Sequence, residues 1–128
     1  MSIQPLAKRI LVCEDSDTIA RLWVAVLEQS GYKVVGPVSS AEKALEEAYQ
    51  HLPDLAIIDI GLSGEIDGIS VAAELAPLGV PVILLTGNYQ RASAEGWQIA
   101  ADILIKPVLP STVIKSVNSI LQQTAMVE

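Results

Sequence analysis

The 128-residue sequence predicts a doubly wound α/β domain built on a five-stranded parallel sheet, and three observations carry that prediction. Short apolar runs recur five times along the chain. Most of them are continuous rather than alternating, the pattern of strands covered on both faces. The segments between them place apolar residues at helical spacing. Strands that alternate with helices need right-handed crossovers, which set about five helices on the two faces of one sheet.

The first strand is the run Ile10 to Cys13. Behind it, Ile19, Leu22, Trp23, Val26 and Leu27 fall on one helical face, with Asp and Ser residues upstream as caps and Gly31 as the stop. This leaves Ala20, Val24 and Ala25 on the outer side. Val34 to Val38, broken by Gly36 and Pro37, is the second strand. Ala41, Ala44, Leu45, Ala48, Tyr49 and Leu52 define the second helix, with Ser39 and Glu42 as a capping box and Pro53 closing it. Leu55 to Ile58 is the third strand, followed by a weaker helix from about Ile69 to Ala76, and Val82 to Leu85 is the fourth. Tyr89 to Ala101 is read as a short or mobile helix, because Gly96 interrupts it. Ile103 to Ile105 is the fifth strand. Pro110, Val113, Ile114, Val117, Ile120 and Leu121 stripe the last helix, with Pro110 in its first turn, where a missing N–H is harmless.

No linker, repeat or low-complexity stretch divides the chain, so residues 1–128 are read as one domain, with a core over about 8–123 and short flexible termini. Output is then expected from this domain itself. A hydrophobic content of 51% against 18% charged residues separates it from disordered compositions. The net charge of −7 argues against direct nucleic-acid binding, which relies on Lys and Arg displacing counterions from phosphates. The N-terminus lacks a basic segment followed by an apolar one, and no apolar run approaches the roughly 18 residues of a membrane span. The expectation is a cytoplasmic protein without membrane insertion. Cys13, the one cysteine, reads as a small buried hydrophobe.

In doubly wound sheets, sites gather at the carboxyl ends of the strands. The first strand runs into Glu14-Asp15-Ser16-Asp17, where a dinucleotide fold would place glycines for a pyrophosphate. Adjacent carboxylates repel anions and attract cations. The third strand ends in Asp59; in the flavodoxin-like strand order 2-1-3-4-5 it lies beside the first, and the carboxylates converge on one cleft. Mg²⁺, or Mn²⁺, fits such an oxygen site. The fourth strand ends in Thr86-Gly87 and the fifth in Lys106-Pro107, adding a hydroxyl and an ammonium. A carboxylate nucleophile ringed by cationic and hydroxyl groups is what phosphoryl transfer requires. Taken singly, each residue has a plainer role: Asp15 or Asp17 as a helix cap, Asp59 as a strand-end acid, Thr86 in a turn, Lys106 as a solvated charge. Their occurrence in order at successive strand ends favours the joint reading.

Glu14-Asp15, Asp59, Thr86 and Lys106-Pro107 together resemble the signature of response-regulator receiver domains of the stand-alone, chemotaxis-regulator-like type, and the match covers nearly the whole chain. The resemblance implies a phosphoryl group accepted by Asp59 from a phosphohistidine. It implies Mg²⁺ on Asp15, Asp59 and the backbone carbonyl of Gly61, with Glu14 helping through water, and phosphoryl oxygens held by Thr86 and Lys106. It implies a histidine kinase or histidine phosphotransfer protein as partner, and a further protein downstream. The stretch Asp59 to Gly68 resembles the family's loop after the nucleophile, with Ser63 where proline is more usual.

Thr86, Gly87 and Ile103 form the expected switch region, yet Ile103 stands where the family carries an aromatic residue. Val108 also replaces a common aromatic. Switching is therefore expected to leave through the segment after Thr86 rather than through a turning ring. His51, at a helix end, reads as a dipole partner, Trp23 as packing and Trp97 as partly exposed. The chain is read as a switch and not an enzyme. The competing readings are a pseudo-receiver that signals without phosphorylation, a small metal-dependent phosphatase and a flavodoxin-like carrier. The phosphatase would need a second acid where Gly61 stands, and the carrier a phosphate-binding loop where the acids stand.

Overall fold

The computed structural model describes residues 6–62, 67–87, 96 and 98–127. Among these, five strands form one parallel sheet: β1 (Arg9–Cys13), β2 (Lys33–Val38), β3 (Leu55–Asp59), β4 (Val82–Thr86) and β5 (Asp102–Ile105). Their order is β2-β1-β3-β4-β5, as predicted. Four α-helices are described: α1 (Asp17–Gln29), α2 (Ala41–His51), α3 (Gly68–Leu75) and α4 (Pro110–Val127), where about five were expected. Most of the segment predicted as a further helix, Tyr89 to Ala101, lies outside the described residues, as do Ser63 and Trp97. Gly96, Gln98 and Ile99 are helical, and the Ala100 N–H donates to the Gly96 carbonyl at 2.7 Å.

Alternation along the strands splits the core in two. Leu11, Cys13, Ala56, Ile58, Leu84 and Ile103 face α2 and α3. Ile10, Val12, Leu55, Ile57, Ile83 and Leu85 face Trp23 and Leu27 of α1 and Val113 and Val117 of α4. The continuous apolar runs that marked these strands follow from this two-sided burial. No helix among the described residues is long and apolar enough to cross a membrane.

Several local expectations are corrected. Ser40, not Ser39, caps α2, its hydroxyl accepting from the Lys43 N–H. That helix buries only Ala41, Ala44 and Ala48, so it lies close on the sheet and leaves Tyr49 and Leu52 in solvent. Ser16 caps α1, whose buried stripe is Ala20, Trp23 and Leu27. Seating the large indole against the sheet turns Ala20 inward, against expectation, and rolls Ile19 and Leu22 to the surface at 38% and 40% exposure. Gly31 ends α1 as predicted: at φ +93 it lets its own N–H reach the Glu28 carbonyl and the Tyr32 N–H reach that of Leu27. Helix α3 begins at Gly68 behind the cap Asp67 and passes into a 3₁₀ turn, Ala76–Leu78.

Gly36 has a clear steric task. Its φ is +94, and a Cβ there would stand 2.9 Å from the Val38 nitrogen and 3.1 Å from the Val12 carbonyl oxygen. Around it β2 slips its register, pairing Val35 with Leu11 but Val38 with Cys13. The bulge carries β2 up to the end of β1, where the Val38 carbonyl accepts from the Glu14 N–H at 2.9 Å.

Candidate functional site

The carboxyl ends of β1, β3, β4 and β5 meet in a cleft of about 400 Å³ lined by Asp15, Asp59, Ile60, Gly61, Thr86, Gly87 and Lys106. Asp59, the last residue of β3, continues the row of Leu55 and Ile57, while Thr86 ends β4 in the row of Val82 and Leu84. Both are buried, each at 4% exposure. Each carboxylate oxygen of Asp59 has a partner. The Gly61 N–H donates to Oδ1 at 2.9 Å, and the Lys106 ammonium donates to Oδ2 at 2.7 Å. Lys106 is held by its own backbone, whose N–H donates to the Thr86 carbonyl at 2.8 Å.

Glu14 and Asp15 follow β1 directly. One carboxylate oxygen from each of Glu14, Asp15 and Asp59 lies within 4.8 Å of the others. Asp15 is exposed at the rim, whereas Glu14 is buried. Glu14 Oε2 accepts from the Ser16 N–H at 3.1 Å, but Oε1 is buried without a hydrogen-bond partner. Burial pushes the Glu14 carboxyl up to about 7, and the neighbouring Asp59 charge adds to the rise against the opposing Ser16 N–H. A buried acid with an orphaned oxygen, set among two more carboxylates, is suited to a cation.

The glycine that shapes this site was not identified from sequence. A Cβ on Gly68 would stand 2.4 Å from the Asp59 carbonyl oxygen and 2.9 Å from the Ile60 Cα, so only glycine lets α3 start against the end of β3. Nothing local in the sequence marks that approach. Asp17, a candidate cap, instead pairs with Arg21 at 3.1 Å on the surface of α1. Cys13 is buried as expected, its thiol pushed up to about 12 chiefly by burial. His51 lies at the end of α2, 3.8 Å from Glu47.

This arrangement coincides with a known family. A family model described as the response regulator receiver domain matches residues 10–118. The chain belongs to the response regulator receiver domains. Among its relatives, the transcriptional regulatory protein PdtaR of Mycobacterium tuberculosis is 33% identical over 114 residues, which are 87% of this chain and 55% of PdtaR. The alkaline phosphatase synthesis transcriptional regulatory protein PhoP of Bacillus subtilis is 35% identical over 121 residues, 91% of this chain and 50% of PhoP. The receiver thus spans about half the length of these relatives. A putative response regulator from Chloroflexus aurantiacus superposes with a TM-score of 0.83 at 33% identity, over 91% of this chain and 99% of that one. A receiver domain protein from Methanospirillum hungatei, 24% identical, shares the fold with a TM-score of 0.89 over 96% of this chain and all of its own.

In this receiver the two departures from the family pattern that fall among described residues have clear surroundings. Ile103 is buried in the core on the α2 and α3 face, under Gly96. Val108 is half-buried and packs on the α1 and α4 face.

Proposed function

We propose that this receiver accepts a phosphoryl group from a phosphohistidine on Asp59, and signals by contact with a further protein in the cytoplasm. The observation that carries the reading is the buried Asp59 carboxylate bonded to the Lys106 ammonium at 2.7 Å, at the base of a cleft that also holds Thr86. Glu14, Asp15, Asp59 and the Gly61 backbone carbonyl would hold Mg²⁺, or Mn²⁺, and the orphaned Glu14 Oε1 supports that fit. When bound, the cation supplies positive charge to offset the carboxylates and the incoming phosphoryl oxygens.

In the transfer, an Asp59 carboxylate oxygen forms the bond to phosphorus as the phosphorus–nitrogen bond of the donor breaks, and the electron pair returns to the imidazole. Lys106 leaves its ion pair with Asp59 to meet a phosphoryl oxygen, while the Thr86 hydroxyl donates to another. The Gly61 N–H orients the nucleophile through Oδ1. The receiver is an acceptor consumed once per event, not a turnover enzyme. Gly61 offers no carboxyl where a phosphatase of the covalent-aspartate type needs its acid.

The donor side is supported by a second feature. A groove of about 490 Å³ opens beside the cleft, lined by Ile19, Leu22, Trp23, Pro107 and Val108, and shares Asp59 and Lys106 with it. An apolar wall next to the nucleophile suits a histidine kinase or histidine phosphotransfer protein whose histidine must reach Asp59.

Incubation with phosphoramidate and Mg²⁺, followed by intact-mass measurement, tests the reading. Wild type should gain one phosphoryl group, and chelation of the metal or Asp59→Asn should abolish the gain. An unmodified wild type would instead favour a pseudo-receiver that signals by contact alone.

A further inference from the structure

The indole of Trp23 is 4% exposed, and its Nε1 has no hydrogen-bond partner. That is an expensive arrangement. A buried donor left without an acceptor loses its hydrogen bonds to water and gains none in return, and buried tryptophans normally find an acceptor for the indole N–H. Packing alone does not require it, since a phenyl ring offers an apolar face on the sheet without the stranded donor. The position of the ring is informative: Trp23 fills the wall of the groove that opens onto Asp59 and Lys106. Every other side chain on the apolar part of that wall, from Ile19, Leu22, Pro107 and Val108, lacks a hydrogen-bonding group.

We infer that Trp23 is a positioning and specificity residue for phosphotransfer: its indole N–H is completed by an acceptor on the donor protein when that protein seats in the groove. The inference rests on the phosphoacceptor reading above. The occupant follows from what the groove offers. It shares Asp59 with the phosphoryl cleft, so what fills it arrives with the phosphoryl group. Its wall is apolar while its rim carries Asp15, with Asp17 close by at the first residue of α1, in a chain of net charge −7. The complementary surface is a helix with an apolar ridge, basic flanks and one side-chain acceptor, such as an amide carbonyl or a hydroxyl, that reaches Trp23 once Ile19 and Leu22 give way. Those two side chains are about two-fifths exposed. A donor protein without that acceptor leaves the N–H as unpaired as it is in the free receiver and forgoes the gain that a matching donor makes.

Trp23→Phe keeps the ring and deletes the donor, so it isolates the hydrogen bond. The probe is chosen with wild type: the phosphorylated histidine kinases and phosphotransfer proteins of the source genome are each tested for transfer, and the fastest is used. With that donor, Trp23→Phe should slow transfer by about three- to tenfold, the weight of one net hydrogen bond. Any change in labelling by phosphoramidate should be smaller than the change with the donor protein, and thermal stability should be equal or higher, since a stranded donor is gone. In ¹⁵N spectra, assigned with Trp97→Phe, the Trp23 indole proton should move downfield when the donor protein is added.

Equal transfer rates in wild type and Trp23→Phe, with an unmoved indole resonance, would overturn the inference and leave the phosphoacceptor reading intact. A matching loss with phosphoramidate, or a fall in stability, would assign Trp23 to packing alone. A wild type that phosphoramidate labels but no protein donor does would overturn the partner. A wild type that phosphoramidate fails to label would defeat the reading beneath it.

Discussion

Glu14→Gln should remove most of the pH dependence of this receiver's stability near neutrality. In the metal-free protein the Glu14 carboxyl is raised from 4.5 to about 7, chiefly by burial. The folded protein therefore holds this proton more tightly than the unfolded chain does. Its contribution to stability is fully present below pH 4.5, declines as pH rises, and is gone above about pH 7. At about 1.4 kcal/mol per pH unit the loss is at most about 3 kcal/mol, and sharing of the proton with the Asp59 neighbourhood trims it further. Glutamine keeps the shape and the burial but carries no charge at any pH. Urea unfolding of wild type and Glu14→Gln, without metal, between about pH 5 and about pH 8, measures the difference. Wild type should weaken by about 2 kcal/mol more than the variant across that range, other groups cancelling between the two. Mg²⁺ should restore wild type at the alkaline end and leave Glu14→Gln less affected. Parallel curves for the two proteins would refute the assignment of a buried, destabilised carboxylate at Glu14.

Three further outcomes follow from the same geometry. Gly68→Ala forces a Cβ into the backbone of Asp59 and Ile60, which has no room to yield, so unfolding should cost at least about 2 kcal/mol less and phosphoramidate labelling should fall with it. Gly96→Ala brings a Cβ to 2.9 Å from the Ile103 Cδ1, so it should destabilise by about 1 kcal/mol in wild type, and Ile103→Val, which removes that methyl, should abolish the penalty in a double-mutant cycle. Lys106→Ala leaves the buried Asp59 carboxylate without its cation; because the lysine is itself partly in solvent, the expected loss is about 1–2 kcal/mol by urea titration, reversed in part by Mg²⁺.

Much of this was legible in the sequence, and the reasons differ by feature. The strands were plain because burial on both faces forces continuous apolar runs, and Asp59, Thr86 and Lys106 were plain because each stands where such a run stops. Their convergence followed from the strand order, which Asp59 between Glu14 and Thr86 along the sheet now displays. Helix orientation was less legible. A period of 3.6 admits neighbouring stripes, and the choice of Ala20 over Ile19 and Leu22 as the companion of Trp23 and Leu27 was made by how Trp23 seats on the sheet. Ser39 and Ser40 are chemically equal as caps, and only the backbone at the end of β2 selects Ser40. Gly68 and the orphaned groups on Glu14 and Trp23 were hidden, because contact between segments distant in sequence, or the lack of it, leaves no local pattern.

Residue-level mapping of the phosphoryl group tests the central claim most directly. Wild type treated with phosphoramidate and Mg²⁺, reduced with borohydride to trap the acyl phosphate, and mapped by peptide mass spectrometry should show reduction at Asp59 and nowhere else. Label at Asp15, Asp17 or another residue, or a protein that takes up no phosphoryl group under these conditions, would contradict it.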